Sequence, residues 1–195
     1  MQLAILILAA GSSSRMGRPK QLLPWGNTTL LGEAINTAKS IKTATTYVVL
    51  GANYDQIKKT IENDFIQIIY NDNWELGLGS SIAKGIKNLS YSYDGVLIML
   101  ADQPLVNKTH LTALIKAFED DNQHIVATDY ATGRLGVPAI FDHCYFEELS
   151  QFTEDKGAKQ LIDNNAKNVT ALKAEHLIID IDTEEGYKRL YNDYH

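Results

Sequence analysis

"LAILILAAGSSSRMGRPK", residues 3–20, decides how the rest of the chain is read. Its first part, Leu3–Leu8, is a continuous apolar run of the length expected for a strand buried on both faces. The character then changes at once, to Gly11, three serines, Arg15, Gly17, Arg18, Pro19 and Lys20. A strand buried on both faces belongs to a parallel sheet covered by helices. In such sheets ligands sit outside the carboxyl ends of the strands, where this loop falls. Backbone N–H groups in a glycine-rich turn make a cradle for anions. Arg15 can grip phosphate oxygens through two donors, and Lys20 adds a mobile point charge. An ordinary surface turn is the plainer reading of the same glycines.

Two well-known phosphate loops are excluded. Five residues separate Gly11 from Gly17, no lysine follows the second glycine directly, and Gln21 stands where a magnesium-binding Ser or Thr would be needed. Ser13 takes the second glycine position of a dinucleotide turn.

Outward from this loop the pattern alternates. Strand-like runs fall at 45–51, 66–70, 95–100, 124–130, 137–141, 168–173 and 177–182. Helical spacing is found at 30–41, 53–62 (with Asn53 as cap), 80–89, 109–118, about 143–150, 156–163 and 184–194. Alternation of this kind predicts right-handed crossovers and an α/β fold, a mostly parallel sheet with helices on both faces. No linker or repeat interrupts it, so 1–195 is expected to be one domain. A formal net charge of -6 argues against a nucleic-acid binder, which needs a basic face. No apolar run reaches the roughly 18 residues of a membrane span. The N-terminal run lacks a basic flank and leads straight into the glycine loop, so it reads as a strand and not as a signal peptide. The single cysteine, Cys144, fits a reducing cytoplasm and reads as a packed residue.

Four loops lie at the carboxyl ends of the expected strands: 9–20, 71–79, 101–108 and 182–183. In the second, Gly77 and Gly79 allow close approach to a flat ligand, and Ser80 or Ser81 could cap the following helix. Trp74 there reads as a packed aromatic. In the third, Asp102 ends an all-apolar strand and is costly unless paired or metal-bound. Magnesium uses one or two carboxylates plus substrate phosphates, and a turn-capping aspartate is the competing reading. In the fourth, Asp180 and Asp182 alternate with Ile179 and Ile181, so both carboxylates share one face. Asp182 or Thr183 can cap the last helix. Other chemistries find no support: the five histidines lack metal-ligand spacing and no GxSxG elbow is present.

Taken together, "LAAGSSSRMGRPKQLLPWGNTTLL" closely resembles the LAAG-x-S-x-RMG-x-x-K signature of the MobA-like NTP transferases, and within them the molybdenum cofactor cytidylyltransferases. The likeness continues through "NWELGLGSSI", "ADQPLV", "GRLGVPAIF", "DKGAKQLI" and "DIDTEEGY". It implies a Rossmann-like three-layer sandwich of the nucleotide-diphospho-sugar transferase type. It also implies Mg²⁺-dependent transfer of CMP from CTP to molybdopterin, with release of pyrophosphate. By position, Leu8, Ala9, Ala10 and Gly11 would meet the nucleotide, with Arg15 and Lys20 on the triphosphate. Gly77, Ser80 and Ser81 would line the base and ribose pocket, and Asp102 would bind magnesium with Asp182 or Asp180. Ala10 matches the cytidylyl branch, where the guanylyl branch more often shows LAGG. The loop 133–138 falls on the acceptor side and carries Val137 where a histidine is common. A molybdenum hydroxylase or dehydrogenase would be the receiving partner. Rival readings are a nucleotidyltransferase for a sugar phosphate or methylerythritol phosphate, and a cofactor chaperone without turnover.

Overall fold

The computed structural model describes residues 1–62, 64–90, 92–119, 124–130, 133–153, 157–174 and 176–195. The strands are β1 (Leu3–Ala9), β2 (Pro24–Trp25), β3 (Thr28–Thr29), β4 (Ala44–Leu50), β5 (Gln67–Tyr70), β6 (Gly95–Leu100), β7 (Ile125–Asp129), β8 (Leu135–Asp142) and β9 (Val169–Lys173). The α-helices are α1 (Leu30–Lys39), α2 (Tyr54–Ile61), α3 (Leu78–Lys87), α4 (Lys108–Glu119), α5 (Phe146–Ser150), α6 (Ala158–Asn164) and α7 (Glu184–Tyr194).

Among the described residues the main sheet has seven strands in the order β5-β4-β1-β6-β8-β7-β9. β1 lies near its centre, parallel to β4 from Leu3↔Ala44 to Ala9↔Leu50 and to β6 from Leu3↔Gly95 to Leu8↔Leu100. The apolar run earns this place because its side chains serve two cores. Leu3, Ile5 and Ile7 pack with α1, α2 and α4 residues such as Ile35, Ile57 and Leu114. Ala4, Leu6 and Leu8 pack with Ile82 of α3, Leu149 of α5 and Leu161 of α6. Each large side chain buried this way contributes about 1.5–3 kcal/mol, so interruption of the run by a charge would be disruptive on both faces. The expected three-layer, mostly parallel α/β architecture is therefore the observed one. β8 is the exception, running antiparallel to both β6 and β7.

Three local expectations are corrected. Residues 177–182 form no ladder strand. Their apolar-polar alternation belongs to a segment without ladder pairing that meets the chain just past β6, where Ile181 N–H donates to Asp102 O (3.0 Å). Ile181 is buried in a third apolar cluster with Leu23, Trp25, Leu30, Tyr187 and Leu190, and this cluster anchors the segment without strand pairing. Asn53 is left-handed (φ 57°) and makes no side-chain cap on α2. α3 starts at Leu78 behind Gly77, ahead of Ser80 and Ser81, so neither serine caps it. Among the helix caps made by side chains, Thr29 accepts from Gly32 N–H (3.0 Å), Asn107 from His110 N–H (3.0 Å) and Thr183 from Gly186 N–H (3.1 Å). The short β2–β3 ribbon was not legible in the spacing. The "DKGAKQLI" motif begins on Asp155 and Lys156, which lie outside the described residues.

Candidate active site

The carboxyl ends of the central strands are stitched into one floor. Ala101 N–H donates to Leu8 O (3.2 Å), Ala52 N–H to Ala10 O (3.0 Å) and Asn71 N–H to Leu50 O (2.8 Å). Above this floor lies a cleft of about 370 Å³. Its lining includes Leu8, Ala9, Ala10, Gly11, Lys20, Gly77, Ser81, Asp102, Asp180 and Asp182, each singled out in the sequence. Arg15 and Ser80 are not in that lining. Arg15 is exposed on a 3₁₀ turn (Ser14–Met16) that begins after the left-handed Ser13 and ends at the left-handed Gly17. Arg18 pairs with Glu184 at the start of α7 (2.9 Å).

Gln21, Trp74, Leu78, Leu100 and Ala101 complete the lining and were not anticipated as site residues. Gln21 is the most informative. It is buried, and its Nε2 donates to both Ala9 O (2.9 Å) and Gly11 O (2.8 Å). Ser13 Oγ accepts from Lys20 N–H (3.0 Å). These bonds pin the start and end of the loop together and commit two carbonyl oxygens to the protein. Nothing in the spacing of "KQLLP" marks this glutamine as buried, so the sequence carries no signal for it. Gln21→Leu leaves those carbonyls without their partner, at about 1–3 kcal/mol for buried unsatisfied groups. We expect the nucleotide KM to rise by about tenfold or more while kcat changes less. Steady-state kinetics beside a thermal melt would check this, and an unchanged KM would remove Gln21 from the loop's support.

The second loop is held by an amide clamp. Asn71 Nδ2 donates to Ser80 Oγ and Ser81 Oγ (both 3.0 Å), and its Oδ1 accepts from Asn73 N–H (3.0 Å). Ser80 Oγ donates within reach of Gly77 O (2.8 Å) and Asn73 O (2.9 Å), so Ser80 braces the loop while Ser81 faces the cleft. Gly77 itself sits at φ 95°, a conformation side chains disfavour. At Gly51 the constraint is close approach. A Cβ there would lie 2.4 Å from Trp74 Cβ and 2.8 Å from Ala10 O. Gly51→Ala must push Trp74 into the cleft or shift the floor, with overpacking of about 1–3 kcal/mol. The expected outcome is a lower melting temperature together with weaker nucleotide binding by titration.

Charge is concentrated opposite the loop. Lys20 Nζ lies 2.5 Å from Asp102 Oδ2, 3.0 Å from Asp182 Oδ1 and 3.1 Å from Ile181 O. Burial works against the Lys20 charge, yet the Asp102 carboxylate and the hydrogen bonds to Asp102 and Asp182 hold the ammonium above its usual range. Burial pushes the Asp102 carboxyl above the ordinary carboxylate range, and the Lys20 ammonium offsets only part of that. Asp180 adds to the repulsion and is held by Gln103 Nε2 (2.8 Å). One ammonium thus faces two carboxylates, and a third, Asp180, acts on Asp102. Asp102 Oδ1 is buried with no hydrogen-bond partner. An acceptor-only oxygen in that state calls for a cation, so the residues fit a divalent metal. Among the described residues no three His, Cys, Asp or Glu converge as a ready-made metal nest. That suits an ion that brings phosphate oxygens with it.

A second cavity of about 210 Å³ adjoins the first through shared Leu8, Leu78 and Leu100. Its far wall carries Tyr130, Arg134, Val137 and Lys159. Burial pushes the Tyr130 phenol up to about 12, so it stays a neutral donor, and it donates to Val137 O (2.5 Å).

A glycine–serine loop, a lysine and an acidic cluster at the carboxyl ends of a mostly parallel sheet are the setting of a nucleotidyltransferase-like α/β domain. Residues 5–169 match the MobA-like NTP transferase domain, and the chain belongs to that family. Over 181 residues it is 28% identical to the bifunctional protein GlmU of Pseudomonas syringae pv. syringae, an alignment covering 91% of this chain and 39% of GlmU. The chain therefore spans well under half the length of these bifunctional relatives. It is 28% identical to the purine catabolism protein PucB of Bacillus subtilis over 194 residues, covering 93% of this chain and 92% of PucB. The crystal structure of Rv0371c from Mycobacterium tuberculosis H37Rv in complex with manganese superposes with a TM-score of 0.83 at 27% identity, covering 98% and 99% of the two chains. No helix among the described residues is long and apolar enough to cross a membrane.

Proposed function

We propose that this chain transfers CMP from CTP to molybdopterin or the molybdenum cofactor, with release of pyrophosphate, in a Mg²⁺-dependent reaction. The observation that carries the reading is the Lys20–Asp102–Asp182 cluster set against the Gly11 loop, at one end of a cleft large enough for a nucleotide. In this reading the amides around Ala10 and Gly11 receive the triphosphate, Lys20 binds its oxygens, and the exposed Arg15 folds over it. Gly77 and Ser81 take the base and ribose. Asp102 and Asp182 would hold the magnesium ion, and a relative crystallised as a complex with manganese supports the use of a divalent cation. When bound, such an ion neutralises charge on the phosphates.

The chemistry asks for little else. A phosphate-monoester oxygen of the acceptor is already anionic near neutral pH, so no strong protein base is needed. That oxygen bonds to the α-phosphorus as the bond from the α-phosphorus to the bridging oxygen breaks. Pyrophosphate leaves with the electron pair. The protein's work is alignment and charge neutralisation. The second cavity is the acceptor side, where apolar walls suit a flat heterocycle and Arg134 and Lys159 suit its phosphate. The LAAG form of the loop favours CTP over GTP. A screen of four NTPs against molybdopterin, sugar phosphates and methylerythritol phosphate, scored by pyrophosphate release, tests this. The expected result is release with CTP and molybdopterin. Release only with a sugar phosphate or methylerythritol phosphate moves the acceptor. Tight cofactor binding without release makes the protein a carrier.

A further inference from the structure

The Lys20 ammonium has three N–H donors, and three acceptors of the protein surround it: Asp102 Oδ2, Asp182 Oδ1 and Ile181 O. With all three engaged, none is left for a phosphate oxygen. The same two carboxylates are those suited to a divalent ion, so an ammonium and a metal would compete for one set of oxygens. Among the described residues Asp102 Oδ1 is the buried carboxylate oxygen left without a partner, and a single oxygen is a poor site for a hard cation by itself. Among the described residues no three acidic or imidazole side chains make a separate nest.

We propose that Lys20 is the resident counter-ion of Asp102 and Asp182, and that a divalent cation gains these carboxylates only with a triphosphate, which draws the ammonium away. This rests on the nucleotidyltransferase reading and adds an order of binding to it. Lys20 also ties the 180–182 segment to the opening loop, because it bonds both Ile181 O and Asp182. Asp182 has half its side chain exposed (52%), so its carboxylate has room to turn toward an incoming ion. Triphosphate oxygens would replace the carboxylates as partners of the ammonium, and charge stays balanced at each stage. An ion arriving without phosphate would instead have to sit beside the ammonium, against like-charge repulsion.

The test is Mn²⁺ binding to the full chain, followed by the electron paramagnetic resonance of free Mn²⁺. Titrations run with and without α,β-methylene CTP and are corrected for the Mn²⁺–nucleotide complex measured without protein. Wild-type protein should bind Mn²⁺ at least about tenfold more tightly with the nucleotide, a measurement that needs no variant. Lys20→Met should raise the affinity for Mn²⁺ alone by about tenfold or more and shrink the nucleotide's effect, with Lys20→Gln and thermal melts as the folding controls. Equal wild-type affinity with and without nucleotide would overturn the proposal, as would unchanged or weaker Mn²⁺ binding by both variants. If the nucleotide analogue fails to bind while both variants gain Mn²⁺ affinity, the counter-ion role stands and the nucleotidyltransferase reading falls.

Discussion

Lys20→Ala is expected to slow turnover by about a hundredfold or more, equivalent to about 2.7 kcal/mol of lost transition-state stabilisation. The ammonium is part-buried, where water screens it poorly, and it is within reach of both the Gly11 loop and Asp102. Charge grows on the α-phosphate and on the departing pyrophosphate as the reaction proceeds. A positioned cation helps most at that moment, so kcat should fall more than KM rises. Removing the ammonium also leaves Asp102 and Asp182 facing each other without a cation, and a modest change in melting temperature should accompany the variant. Rapid-quench measurement of a single turnover separates chemistry from product release. Turnover near that of wild type would remove Lys20 from the mechanism.

Asp102→Asn carries the second large effect. Asp102 sits just past β6, whose residues are almost wholly buried, and Ile181 N–H holds its backbone carbonyl in place. The replacement keeps the shape and removes the charge. It leaves Lys20 with one fewer anionic partner and can present an amide N–H₂ where a metal needs an oxygen. The expected result is a loss of activity of about a hundredfold or more and a metal titration that no longer saturates in the wild-type range. Stability should change little, since relief of a buried charge offsets the loss of one partner for Lys20. A Mg²⁺ titration of activity checks this, and a midpoint equal to that of wild type would exclude Asp102 as a ligand.

Much of the site was readable because its signals are local. The apolar run Leu3–Leu8 reads as an inner strand, and the structure places it there, with the glycine–serine–arginine loop at the carboxyl end of the sheet. Asp102 stood out because a carboxylate at the end of "VLIML" demands compensation. What stayed hidden depends on partners distant in sequence. Gln21 looked like a failed P-loop serine until its bonds to Ala9 O and Gly11 O were seen. Ser80 looked like a cap, but its hydroxyl belongs to the Asn71 clamp. Residues 177–182 carry the alternation of a strand, yet alternation reports only extended backbone with two unlike faces. Whether such a segment pairs is decided by its neighbours, and here Ile181 anchors it in the third apolar cluster. The antiparallel β8 was equally invisible, since a buried strand has the same composition in either direction.

The most direct measurement follows the α-phosphate itself. The full chain is incubated with CTP labelled at the α-phosphorus, Mg²⁺ and molybdopterin, and the products are separated. Label should move into a CMP–molybdopterin conjugate in step with pyrophosphate release, and the transfer should be lost in both Lys20→Ala and Asp102→Asn. Label that stays in CTP, that appears only as free CMP, or that transfers equally well in the two variants would contradict a nucleotidyl transfer carried out by this cleft.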